Sequence, residues 1–238
     1  MQQKSSVEEI RQRFDNDVER FSNLETGQSA TIDSPLALEL IAEAAAVSTP
    51  HATRLLDIGC GAGNYSLKLL ERLSQLEVTL VDLSRPMLER AEQRLRAAGC
   101  RKVTAIQADV RELELAPNSI DIIVAAAVLH HLRTDKEWQS VFDRFAAALA
   151  PGGSIWIFDL LDTATPALRE MFQRRYGEHL VALGGTDYRD KVFAYIERED
   201  TPRSIVEQLD LLRRAGLTRL EVLHKNGPFG AFGGSKAQ

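Results

Sequence analysis

The sequence predicts an α/β protein built on a doubly wound, mostly parallel sheet, and three observations carry that prediction. Between Arg54 and Leu160, short apolar runs alternate with amphipathic helical stretches, the β-α-β-α order that puts helices on both faces of a parallel sheet. One run, Ile120 to Ala127, is continuously apolar, as a strand buried on both faces should be. The chain closes with two apolar runs joined by Asn226-Gly227-Pro228, a hairpin signal that adds an antiparallel pair at one edge.

Composition bounds the function. The 238 residues suit one domain overall, and 29 basic against 34 acidic residues give a formal charge of −5. Residues 1–50 hold four basic and nine acidic residues, and the remainder is balanced. No basic block suggests a nucleic-acid track, and no apolar run reaches the ~20 residues that span a bilayer. The polar start, MQQKSSVEEI, lacks a secretory apolar core. Two cysteines, Cys60 and Cys100, exclude a disulfide scaffold and point to a reducing, cytoplasmic setting.

The elements follow in order. Val7, Ile10, Phe14, Val18 and Phe21 form one apolar helical stripe, and Leu36 to Ala46 a second helix, so 1–50 reads as an N-terminal helical cap. Residues 51–160 form the core. RLLDIG is a strand, Tyr65 to Leu73 a helix and EVTLVD the next strand. Ser84 caps a helix that Gly99 ends. Val103 to Ile106 and Ile120 to Ala127 are strands, Thr134 to Glu137 matches a capping box, and SIWIFDL follows a Pro-Gly-Gly turn. Residues 161–202 break the alternation with two helices around Gly184-Gly185, a helical lid or substrate insertion. Residues 203–238 add a last helix and the hairpin.

The chemistry concentrates after the first strand. Asp57-Ile58-Gly59-Cys60-Gly61-Ala62-Gly63 opens a helix, and glycines there let backbone approach a ligand. A tight turn alone needs about one Gly, not three. The spacing is one residue short of the dinucleotide fingerprint, and Asp57 would repel a pyrophosphate while suiting a cation. Asp82 ends the second strand, where a carboxylate can accept both ribose hydroxyls, and Asp109 follows the third, where it can accept from an adenine amino group. Each aspartate alone is as readily a turn or cap residue. His130 and His131 are adjacent, so they share no helix face. A metal site needs a further ligand and none is suggested, so no metal is expected. His131 reads as a packing residue. For His130 two readings stand: a structural one, and a proton acceptor beside the reacting group.

The set LLDIGCGAGNYS, VTLVDLSRPML, IQADVREL, SIDIIVAAAVLHHL and LAPGGSIWIFDL resembles class I S-adenosylmethionine-dependent methyltransferases over residues 54–160. The resemblance implies a Rossmann-like seven-stranded sheet and S-adenosyl-L-methionine as cofactor. It implies that Asp57, Gly59, Cys60, Gly61 and Gly63 line the methionine end and that Asp82 binds the ribose. Asp109 and Val110 would flank the adenine, Leu83 and Met87 pack on it, and Ala125 to His130 face the sulfonium. An aromatic of the N-terminal helix closes over the cofactor in relatives, a role that falls to Phe21. Ala125-Ala126-Ala127-Val128 departs from the Asn/Asp-Pro-Pro-Tyr/Phe box of amino-methylating DNA and protein enzymes. The expectation is in-line methyl transfer to a small molecule, with no nucleic-acid or membrane partner and with a homodimer left open. One alternative is a carboxy-S-adenosylmethionine synthase of tRNA wobble modification, which FDNDVERF and the insertion faintly resemble, with Arg189 or Lys191 holding the carboxylate. Others are a NAD(P)-binding oxidoreductase, disfavoured by loop spacing, and a non-catalytic cofactor-binding protein.

Overall fold

The computed structural model describes residues 4–22 and 29–238, without the side chains of Arg20 and Phe21. Seven strands form one sheet in the order β3-β2-β1-β4-β5-β7-β6. They are β1 (Arg54–Ile58), β2 (Glu77–Asp82), β3 (Lys102–Gln107), β4 (Ile120–Ala126), β5 (Leu149–Leu160), β6 (Leu217–Asn226) and β7 (Phe229–Lys236). The first five run parallel, and β7 lies antiparallel between β5 and β6. The expected seven-stranded sheet with a terminal hairpin is therefore present.

Consecutive residues of the central strands enter opposite cores, which explains their unbroken apolar sequence. Leu55, Val78, Ile122 and Val124 join one cluster, with α3 (Ser34–Ser48), α4 (Asn64–Arg72) and α5 (Arg85–Ala97). Leu56, Val81, Ile123 and Ala125 join the other, with α6 (Asp135–Ala148) and α8 (Ile205–Arg214). Capping sets the helix starts: Ser84 accepts from Met87 N at 3.3 Å, and Thr134 and Ser204 form capping boxes with Glu137 and Glu207.

One expectation needs correction. The apolar stripe of the first helix is split, because the chain breaks at Asn16–Asp17 into α1 (Val7–Asp15) and α2 (Val18–Ser22). The insertion holds the two expected helices, together α7 (Pro166–Glu199), which meet at the non-helical Gly185, where φ is 82°. Its halves fold back so that Tyr176 and Phe193 rings lie 5.8 Å apart. Tyr176 also packs edge-on to Phe229 at 5.5 Å, and its hydroxyl donates to the Ala30 carbonyl at 3.1 Å. No helix among the described residues is long and apolar enough to cross a membrane.

Candidate active site

The strand order reverses at β1, which pairs with β2 on one side and β4 on the other. Loops leaving β1 and β4 diverge there, and a crevice opens at the carboxyl ends of the strands. Two cavities of about 110 and 50 Å³ occupy it. They share Ile10, Gly59, Asp82, Leu83, Val128 and His131, so they form one cleft.

The loop after β1 is shaped by its glycines. Gly59 has φ 63°, and a Cβ there would stand 2.7 Å from the Val128 side chain. Gly61 has φ 49°, and its Cβ direction is open, as a surface that meets a ligand requires. Asp82 holds the loop: its carboxylate accepts from Gly61 N at 2.8 Å and from Ser84 N at 2.9 Å. Asp57 is buried and accepts from Ser66 Oγ at 2.6 Å. Burial pushes its carboxyl up to about 7, against the pull of the Ser66 bonds. Burial likewise raises Asp82 and the Cys60 thiol.

Of the residues the sequence singled out, Asp57, Gly59, Cys60, Gly61, Asp82, Leu83, Met87, Asp109 and Val110 line the cleft. Gly63 stands behind it as the N-cap of α4. Asp109 is already engaged, since Arg111 donates to its carboxylate at 2.9 Å. Burial opposes ionisation there, but these bonds hold the carboxyl below its ordinary value.

Two readings change, and a third is untested. Ala125 is fully buried in the α6-side core, and its neighbours Ala126, Ala127 and Val128 form the wall instead. The Phe21 side chain lies outside the described residues; among those described, Phe14 of α1 lines the cleft beside Ile10. His130 turns inward, with its Nδ1 against the Asp159 carboxylate and its backbone N donating to the same group at 3.0 Å. Burial disfavours its charge, yet Asp159 and Asp200 raise it to about 9. His131 lines the cleft in its place, edge-on to Phe14 at 6.1 Å.

Sequence reasoning also missed Tyr65, whose buried hydroxyl lines the cleft with no hydrogen-bond partner. The lining residues of both cavities include none from α7. Arg189 on that helix pairs with Asp190 at 2.7 Å, and Lys191 is exposed.

A family model for the methyltransferase domain matches residues 55–153, the stretch that carries this cleft. The matched core is a class I S-adenosylmethionine-dependent methyltransferase domain. An uncharacterised methyltransferase of Mycobacterium tuberculosis is 32% identical over 115 residues, 48% of this chain and 53% of that one. The chain thus aligns with about half the length of that relative. The ubiquinone/menaquinone biosynthesis C-methyltransferase UbiE of Syntrophotalea carbinolica is 28% identical over 190 residues, 79% of this chain and 77% of its own. Among solved structures, the [4+2]-cyclase SpnF superposes with a TM-score of 0.66 at 14% identity, covering 99% of this chain and 98% of that one. That likeness concerns the fold of the methyltransferase domain and its additions.

Proposed function

We propose that this chain transfers the methyl group of S-adenosylmethionine to a small-molecule acceptor by in-line displacement. The observation that carries it is one cleft with a buried carboxylate, Asp57, and a half-buried one, Asp82, beside a glycine loop whose outer face is open. The residues fit the cofactor's chemistry. Asp57 and the unpartnered Tyr65 hydroxyl suit the polar methionine end. Asp82 suits the ribose hydroxyls, and Leu83, Met87, Val110 and Asp109 border the adenine side. When bound, the sulfonium supplies the electrophilic methyl group.

The chain contributes alignment. Ala126, Ala127 and Val128 fix one wall, and Ile10 and Phe14 exclude water from another. Holding the acceptor in line behind the methyl is worth ~7–11 kcal/mol when geometry is near attack. Base assistance matters only where the nucleophile is a hydroxyl. The carboxy-S-adenosylmethionine alternative loses support, because neither Arg189 nor Lys191 lines the cleft.

Mass spectrometry of the nucleoside that co-purifies, with calorimetric titration of S-adenosylhomocysteine, tests the reading. S-adenosylmethionine or S-adenosylhomocysteine at one per chain supports it. A carboxylated nucleoside moves the assignment to the alternative, and absence of both a nucleoside and titratable binding overturns the cofactor assignment.

A further inference from the structure

The 3₁₀ turn Leu129–His131 and the C-terminal end of α7 bring together three groups that no step above uses. Asp200 Oδ1 lies 3.2 Å from His131 Nδ1 and 3.8 Å from His130 Nε2. The ligand atoms of the three residues all fall within 4.8 Å of one another. Asp200 is 5% exposed, yet among the described residues its Oδ1 makes no hydrogen bond, and both ring nitrogens of His131 are buried without one. The 3.2 Å approach is therefore a contact without hydrogen-bond geometry. Buried polar atoms are normally satisfied, and buried charges are paired or bind metals. The two adjacent imidazoles, ring centroids 4.3 Å apart, converge on one carboxylate oxygen here.

We propose that His130 Nε2, His131 Nδ1 and Asp200 Oδ1 bind one divalent transition-metal ion at the border of the cleft. Two imidazoles and a carboxylate suit zinc, iron(II) or cobalt(II) and leave a position open to a further ligand. Asp159 completes the arrangement from behind. It holds His130 Nδ1 and so presents Nε2 to the ion, the carboxylate–histidine–metal relay that orients such ligands. The segment is fastened on both sides, with Thr201 N donating to the His130 carbonyl at 2.8 Å. His131 also lines the cleft, so the ion would sit beside the space the acceptor would occupy. The acceptor class that follows is an oxygen nucleophile, whose proton the cation would make easier to lose; that clause rests on the methyl-transfer reading.

The test uses the full chain, stripped with a chelator, desalted and titrated with Co(II) alone. The expected result is one ion per chain with the visible absorption of a low-coordinate, imidazole-bound cobalt. His131→Ala and Asp200→Asn should abolish stoichiometric binding, and Asp159→Asn should weaken it about 10–100-fold. Electron spin-echo modulation on the Cu(II)-loaded wild type needs no variant and should count two imidazoles. No stoichiometric binding, fewer than two imidazoles, or unaltered binding in folded variants overturns the site. S-adenosylhomocysteine titration of the same stripped protein separates the two readings: nucleoside binding without metal binding removes only the metal.

Discussion

At the residue scale, the carboxylates decide what the cleft accepts. Asp82 accepts from the backbone N–H groups of Gly61 and Ser84 and still lines the cavity. Asp82→Ala should weaken S-adenosylhomocysteine binding by roughly 1–3 kcal/mol, the scale of a lost partner for buried polar groups. Titration calorimetry reads it, and native affinity in the folded variant would remove the ribose assignment. Asp57 gives a pH signature. Its carboxyl titrates at about 7 in the folded chain against an ordinary 3.8. Between those values the folded state keeps a proton that the unfolded chain has released, so stability falls as pH rises through that window. A cationic ligand favours the ionised form, so affinity for S-adenosylmethionine should rise towards pH 7 and level off above it. Titrations in two buffers of different ionisation enthalpy should show a proton leaving on binding at pH 6. A flat affinity and no proton release would take Asp57 away from the cationic end. The three acids were legible because strand ends can be read from apolar runs. His131 and Asp200 were not, because their meeting depends on a 3₁₀ turn and on a helix end 69 residues away in sequence.

At the scale of elements, legibility followed the strength of local signals. The β2 strand begins and ends where its apolar run does, and the capping box at Thr134 forms as spaced. The misreadings arose where tertiary context overrode pattern. A stripe continuous in spacing from Val7 to Phe21 is interrupted at Asn16 and Asp17, whose side chains favour local turns, and Phe14 reaches the cleft from its first piece. The strand β4 kept its period of two, which sends Ala125 to the α6 side and leaves the cleft to the residues after it. The capping box also gives a prediction remote from the site. Thr134→Ala removes a hydroxyl that accepts from Glu137 N at 3.2 Å and should cost about 1 kcal/mol of stability. Urea denaturation measures this, and nucleoside affinity should stay at the wild-type value. A loss below the error of the fit would mean that the helix start is held by other contacts.

At the scale of the whole molecule, the fold is shared with a cyclase along nearly the full length of both chains, so the sheet alone does not choose the reaction. What distinguishes one user of such a fold from another is the cover over the cleft. The sequence assigned that cover to both the N-terminal helices and the 161–202 insertion. The structure separates them. Helix α1 puts Ile10 and Phe14 on the cleft wall, and Ile10 is its single buried residue, so its apolar hold is small and polar contacts such as Arg13–Glu199 at 3.2 Å supply the rest. Helix α7 buries Tyr176 and Leu180 in the core beside Phe229, contacts that no nucleoside is needed to make. Segments with few buried contacts open at low free energy and are the ones that a ligand protects. Adding S-adenosylhomocysteine should therefore slow amide hydrogen exchange at Gly59 to Gly63 and in Val7–Asp15, and leave the first half of α7 at its ligand-free rate. Equal slowing across 166–184 would restore the insertion as a lid. No slowing in α1 would mean that the wall formed by Ile10 and Phe14 is set before the cofactor arrives, and that closure is not part of how this chain keeps water from the methyl group.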